Sequence, residues 1–231
     1  MKQYTHIFFD LDHTIWDFES NAKETLKELY VIYELTDKGD FTDEDFIATY
    51  KVVNRQMWQL YEQGKMDKQT LREKRFHDSL SKLGVEEKDI PEHIWDDYLK
   101  ICPEKTILMP HAQETLDYLV SKYPMTLITN GFQQTQERKL ISSDLGKYFK
   151  GMVTSESVGY QKPDRRIFEH ALKQSGSTIR QTIMIGDSHN TDILGAKSMG
   201  LDHVWYNPDK MEHTYDVMHE IHSLLELKEL L

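Results

Sequence analysis

The feature that most restricts the fold of this chain is how its short apolar runs stop. His6-Ile7-Phe8-Phe9 gives way at once to Asp10, and Met125-Thr126-Leu127-Ile128 to Thr129-Asn130-Gly131. Met152-Val153 leads to Thr154-Ser155-Glu156, Ile183-Met184-Ile185 to Gly186-Asp187, and His203-Val204-Trp205-Tyr206 to Asn207-Pro208. Runs this short, apolar without alternation, suit strands buried on both faces of a parallel sheet. Helical patterns separate the later runs, at about 111–122, 132–145, 164–175 and 190–199, with Gly146, Gly176 and Gly200 as expected stops. Strand and helix alternate, so an α/β core with a doubly wound parallel sheet is expected.

From Trp16 to about Lys105 the strand signal disappears, and amphipathic helices are predicted near 19–35, 43–63, 67–83 and 91–101. Thr42 with Asp45 three residues on reads as a helix start, followed at helical spacing by Phe46, Tyr50, Val53, Met57, Leu60 and Tyr61. Pro91 suits a first helical turn. The expected organisation is a Rossmann-like α/β core of residues 1–15 plus 105–231, with a helical cap domain, residues 16–104, inserted after the first strand. A length of 231 residues agrees with one domain carrying a sizeable insert.

Charge and cysteine content exclude some roles. The net charge is −11 and the basic residues are scattered, which disfavours polynucleotides and anionic membranes. The single cysteine, Cys102, can form no disulfide within the chain, which fits a reducing compartment and a cytoplasmic location. No stretch reads as a signal peptide or approaches the ~18 apolar residues of a membrane span.

Chemistry gathers where the apolar runs end. Asp10 and Asp12 alternate in an extended segment and project to one side, which brings two carboxylates close. Their repulsion calls for a cation between them or a proton on one. Asp187 follows a buried strand directly, and Asp192 opens the next helix, where it could equally be a dipole-compensating acid. Together these acids offer hard oxygen ligands suited to Mg2+, whereas the scattered histidines offer no zinc-type spacing. Lys162-Pro163-Asp164 is the candidate counter-charge, because Pro163 biases Lys162 towards an extended backbone that could aim it across the strand ends.

The ordered set Phe9-Asp10-Leu11-Asp12-His13-Thr14, Ile128-Thr129-Asn130-Gly131, Lys162-Pro163 and Gly186-Asp187-Ser188 with Asp192 resembles the motifs of the haloacid dehalogenase superfamily of phosphohydrolases. The resemblance implies that Asp10 is the nucleophile, forming an aspartyl-phosphate, and that Asp12 is first the general acid and then the base. It implies that Thr129 holds the phosphoryl group, that Lys162 neutralises it, and that Asn130 lies among the substrate-binding residues. Mg2+ would be held by Asp10, the main-chain carbonyl of Asp12 and Asp187, with Asp192 supporting its outer shell. His13 stands where these enzymes often have glycine. Closeness to Asp10 is expected to raise one pKa of the Asp10/Asp12 pair, keeping Asp12 protonated part of the time.

The cap is expected to close over the strand ends and choose the leaving group. Asn54, Trp58 and Tyr61 share one helical face, and Arg75-Phe76 follow on the next predicted helix. These residues form either an aromatic core of the cap or a pocket that stacks on a planar base, with Asn54 or Arg75 adding hydrogen bonds. Together with Val158-Gly159-x-x-Lys162-Pro163-x-x-x-Ile167-Phe168, they resemble the bacterial noncanonical pyrimidine nucleotidases, which implies nucleoside 5′-monophosphates as substrates. A sugar-phosphate or phosphoglycolate phosphatase, a dehalogenase, a mutase and a non-catalytic nucleotide sensor remain alternatives. The implied partner is a small phosphorylated substrate, and the chain is expected to be a monomer or a weak homo-oligomer.

Overall fold

In a computed structural model that describes residues 4–231, the apolar runs form one sheet: β1 (His6–Phe9), β2 (Met125–Thr129), β3 (Phe149–Thr154), β4 (Thr182–Gly186), β5 (Asp202–Tyr206) and β6 (His219–Ile221). Their order is β3-β2-β1-β4-β5-β6 and each neighbouring pair is parallel. Every residue of β1, β2, β4 and β5 is buried, which is why these strands are written as mainly apolar runs without alternation. Phe9 lies level with both Leu127 and Ile185, so the polar residues that follow β1, β2 and β4 emerge at one edge. The chain leaves β1 for β2 and β3 on one side and later returns to β4 on the other. In open α/β sheets the carboxyl ends of the strands at such a reversal are where ligands bind.

The helices are α1 (Phe18–Ile32), α2 (Asp43–Glu62), α3 (Lys68–Lys82), α4 (Ile94–Ile101), α5 (Ala112–Val120), α6 (Gln133–Ser142), α7 (Ser155–Val158), α8 (Arg165–Ser175), α9 (Leu194–Met199) and α10 (Leu227–Leu230). The chain divides into two units, one of residues up to Phe18 with Thr106–Leu231 and one of Glu19–Lys105. In the first, Phe8, Ile128, Val153 and Met184 pack with Ile167, Phe168 and Ala171 of α8 and with Ala196 and Met199 of α9. Gly176 and Gly200 end α8 and α9 at φ 66° and 72°, a backbone region that favours glycine.

In the helical unit, α2 opens with a reciprocal cap: Asp45 N donates to Thr42 Oγ1 (3.2 Å), and Thr42 N to Asp45 Oδ2 (2.9 Å). Its buried face of Phe46, Tyr50, Val53 and Met57 follows the helical period, and α2 packs against α3.

The structure departs from the sequence expectation in four places. β6 has the sequence His-Glu-Ile, too short and polar to read as a buried run. α6 ends at Ser142, with Asp144 at φ 52°, so the stop precedes Gly146, which instead opens a turn into β3. The helix expected from 190 begins at Leu194, preceded by a wide π-type turn, His189–Ile193. The fourth helix of the insert starts at Ile94, so Pro91 lies outside its first turn.

Phe168 is fully buried beneath the sheet. Phe168→Ala is expected to cost about 3–5 kcal/mol, read from the urea midpoint of unfolding; a loss within about 1 kcal/mol would mean that this face does not secure the strands.

Candidate active site

Asp10 continues the ladder past the end of β1, its N–H donating to Ile185 O (2.9 Å). Its carboxylate meets Lys162, whose Nζ lies 2.5 Å from Asp10 Oδ1, 2.6 Å from Asp192 Oδ1 and 2.7 Å from Ile128 O. Lys162 is 2% exposed, so these partners replace nearly all of its water. Asn130 fixes the lysine's backbone from β2: Asn130 Nδ2 donates to Lys162 O (3.0 Å), and Lys162 N to Asn130 Oδ1 (2.7 Å). Asn130, expected among the substrate-binding residues, thus also clasps the main chain of Lys162. The Lys162–Pro163 peptide is cis.

Thr14 holds the β4 loop. Its Oγ1 donates to Asp187 Oδ1 (3.1 Å) and accepts from Asp187 N (3.0 Å), while Trp205 Nε1 donates to Asp187 O (2.7 Å). Asp192 is brought back by the π-type turn, and Ser188 N donates to its Oδ2 (3.1 Å). A Cβ on Gly186 would lie 2.2 Å from that same oxygen, so the approach of Asp192 requires glycine there.

Oxygens of Asp10, Asp187 and Asp192 all lie within 4.8 Å of one another. Burial pushes the Asp10 carboxyl up to about 7, against the pull of Lys162 and with added repulsion from Asp192 and Asp12. Burial likewise raises Asp187 to about 6, opposed by His13, and Asp192 to about 6, opposed by Lys162. Lys162 loses by burial but gains more from Asp10 and Asp192, and is held above its ordinary range. Buried carboxylates thus outnumber the ammonium that faces them. The cluster fits a hard divalent cation, and Asp192 is one of its three acids.

Asp12 departs from the expectation. Its carboxylate turns to α6, where Gln136 Nε2 donates to Oδ2 (2.8 Å) and Lys139 Nζ to Oδ1 (2.5 Å). That leaves the main-chain carbonyl of Asp12 for any metal role. Burial pushes the Asp12 carboxyl up, but the Lys139 charge and the bonds from Lys139 and Gln136 outweigh it and hold it below its usual range. The member of the pair that rises is therefore Asp10. Thr129 is buried, and its Oγ1 accepts from Gly131 N (3.0 Å) and Gln136 Nε2 (2.7 Å). His13 sits at φ 62°, which explains why glycine also suits this position.

Thr14, Gln136, Lys139 and Trp205 were assigned no role from sequence. α6 buries the polar Gln136 and Lys139, which nothing in the sequence of that helix marks as inward-facing.

Within the helical unit, Phe76 is fully buried and packs on Tyr50 and Tyr98, with ring centroids 4.8 and 5.2 Å away. Arg75 is also buried; its Nη1 donates to Asn54 Oδ1 (3.3 Å) and its guanidinium lies 4.8 Å from the Tyr98 ring centroid. Asn54, Arg75 and Phe76 therefore take the core alternative rather than the pocket one. Trp58 and Tyr61 are only half-buried and meet edge to face at 5.6 Å.

Comparison with known proteins agrees with this geometry. The sequence profile of the haloacid dehalogenase-like hydrolases matches residues 4–200. The chain is 33% identical to the pyrimidine 5′-nucleotidase YjjG of Escherichia coli, covering 95% of this chain and 96% of the relative. It is 32% identical to the pyrimidine 5′-nucleotidase PynA of Streptococcus pneumoniae, covering 99% and 95%. The crystal structure of the HAD-hydrolase YfnB of Bacillus subtilis bound to magnesium has a TM-score of 0.87 at 30% identity, covering 99% of each chain.

Burial lifts the Asp10 carboxyl to about 7 and those of Asp187 and Asp192 to about 6, above the value near 4 of an unfolded aspartate. Between those values the folded state binds more protons, so these groups lower stability as pH rises, and a cation must compete with their protons. Millimolar Mg2+ is expected to raise Tm more at about pH 8 than at about pH 5. His6 and His203, pushed down by burial, act on the curves with and without metal alike. An Mg2+ shift of equal size at both pH values, or one retained by Asp187→Asn, would refute the assignment.

Proposed function

Because the chain belongs to the haloacid dehalogenase-like hydrolase family, we propose that it is a phosphomonoester hydrolase that removes the 5′-phosphate of pyrimidine nucleoside monophosphates through an aspartyl-phosphate on Asp10. The observation that carries this reading is the position of Asp10, gripped by Lys162 beside Asp187 and Asp192, at the carboxyl ends of β1 and β4, where the strand order reverses.

In this reading an Asp10 carboxylate oxygen attacks phosphorus as the bond from phosphorus to the leaving oxygen breaks. Lys162 and the Thr129 hydroxyl offset charge on the phosphoryl oxygens. An arriving phosphate places negative charge beside Asp12 and favours proton uptake there. Asp12 then gives that proton to the leaving oxygen. In the second step water attacks phosphorus, Asp12 takes a proton from it, and the phosphorus–oxygen bond to Asp10 breaks, restoring the carboxylate. Mg2+, held by Asp10, Asp187, Asp192 and the Asp12 carbonyl, would supply further charge neutralisation and keep Asp10 ionised.

Pyrimidine preference rests on the two relatives named above, and we assign base contact to Trp58 and Tyr61, the half-buried aromatics of α2. Residues 16–104 act as a cap in this reading. A cytoplasmic setting is part of the proposal, supported by the lone Cys102. Among the described residues no helix is long and apolar enough to cross a membrane.

Phosphate release from UMP and dTMP with Mg2+ tests the reading, compared by kcat/KM with a panel of sugar phosphates. Asp10→Asn is expected to lower kcat by at least ~10⁴-fold, and a variant that keeps its activity would reject Asp10 as nucleophile. Trp58→Ala is expected to raise KM for UMP by about fivefold or more, in line with about 1–3 kcal/mol for base stacking, while p-nitrophenyl phosphate turnover stays constant; equal losses on both substrates would remove the stacking role.

A further inference from the structure

Two residues of α6 meet Asp12, and the hydrolytic scheme makes no use of them. Lys139 Nζ is 2.5 Å from Asp12 Oδ1, and Gln136 Nε2 is 2.8 Å from Asp12 Oδ2. Each oxygen of the carboxylate is thus taken by its own donor, which sets both its plane and its rotamer. Gln136 Nε2 also donates to Thr129 Oγ1 (2.7 Å), so one amide joins Asp12 to the hydroxyl assigned to the phosphoryl group. Lys139 is further fixed by the Trp16 ring, whose centroid lies 4.2 Å from Nζ.

This arrangement is costly as packing. Gln136 and Lys139 are 0% and 3% exposed, and they are the buried side chains of α6. An amphipathic helix would ordinarily put apolar residues there, since burying an amide and an ammonium is unfavourable unless each is paired. The turn after β2 is also shaped around the glutamine: a Cβ on Gly131 would lie 2.3 Å from Gln136 Nε2.

We propose that Lys139 and Gln136 are positioning residues for proton transfer by Asp12, Lys139 holding one carboxylate oxygen and Gln136 setting the other against Thr129. The inference rests on the phosphohydrolase reading. In the first step the bond from phosphorus to the leaving oxygen breaks and the Asp12 proton passes to that oxygen. A nucleoside needs this proton, whereas p-nitrophenolate departs without one. The two leaving groups therefore separate the placement of Asp12 from the work of Asp10 and Lys162.

The test is a single-turnover measurement of leaving-group release with Mg2+, using UMP and p-nitrophenyl phosphate, on wild type, Lys139→Met, Lys139→Arg and Gln136→Met, each with a cooperative thermal transition. Lys139→Met and Gln136→Met are expected to slow nucleoside release by about tenfold or more beyond any slowing of p-nitrophenolate release. KM for UMP should stay within about threefold of wild type, because the lost interaction acts in the transition state. Lys139→Arg should recover most of the nucleoside rate. Folded variants that slow both leaving groups equally, or that change KM alone, would overturn the proposal; Gln136→Met makes the comparison independently of Lys139. A wild type inactive on both substrates would sink the phosphohydrolase reading and this inference with it, whereas an active wild type matched by its variants would sink the inference alone.

Discussion

One buried ammonium group governs the charge balance at the carboxyl edge of the sheet. Lys162 Nζ touches Asp10, Asp192 and the Ile128 carbonyl, so it links the ends of β1 and β2 to the turn after β4. A buried ion pair gains little net stability, yet removing one partner leaves an uncompensated charge that is expensive to bury. That asymmetry explains why the surroundings of Lys162 are held so firmly, with Asn130 clasping its backbone and Gly186 making room for Asp192. Because the carboxylates here outnumber the facing ammonium, burial and mutual repulsion favour either protons on them or a cation among them.

Asp10 and Asp12 stand two residues apart and live in opposite environments. Asp10 lies where burial and neighbouring acids raise its carboxyl, while Asp12 faces Lys139 and Gln136 and is held low. Two carboxylates with separated proton affinities are the raw material of acid–base division of labour. The separation comes from α6 and β2 rather than from the Asp-x-Asp segment that carries both acids.

Much of this was legible before any coordinates. Four strands are visible because strands buried on both faces must be mainly apolar along their whole length, while β3 shows only through Met152-Val153 at its buried end. The Thr42/Asp45 cap was legible because capping is local chemistry between residues three apart. β6 was not, since a three-residue edge strand with His and Glu has no apolar signature. The clasp of Asn130 on the Lys162 backbone is not legible, because the motif says that an amide is present and not which atoms it serves. Phe76 and Arg75 could have been core or pocket at the same helical spacing, and only their contacts with Tyr50, Tyr98 and Asn54 separate the two.

By itself the sequence determined the parallel α/β architecture, the family and the acids at the strand ends, because period, run length and residue type are properties of a chain read in order. Only the tertiary structure decided which acid Lys162 holds, that Asp192 joins Asp10 and Asp187, and that Lys139 and Gln136 answer Asp12 across 127 and 124 residues. The reason is physical. Charge pairing and pKa depend on distances of a few ångströms and on exclusion of water, and neither exists until strands from distant parts of the chain lie side by side.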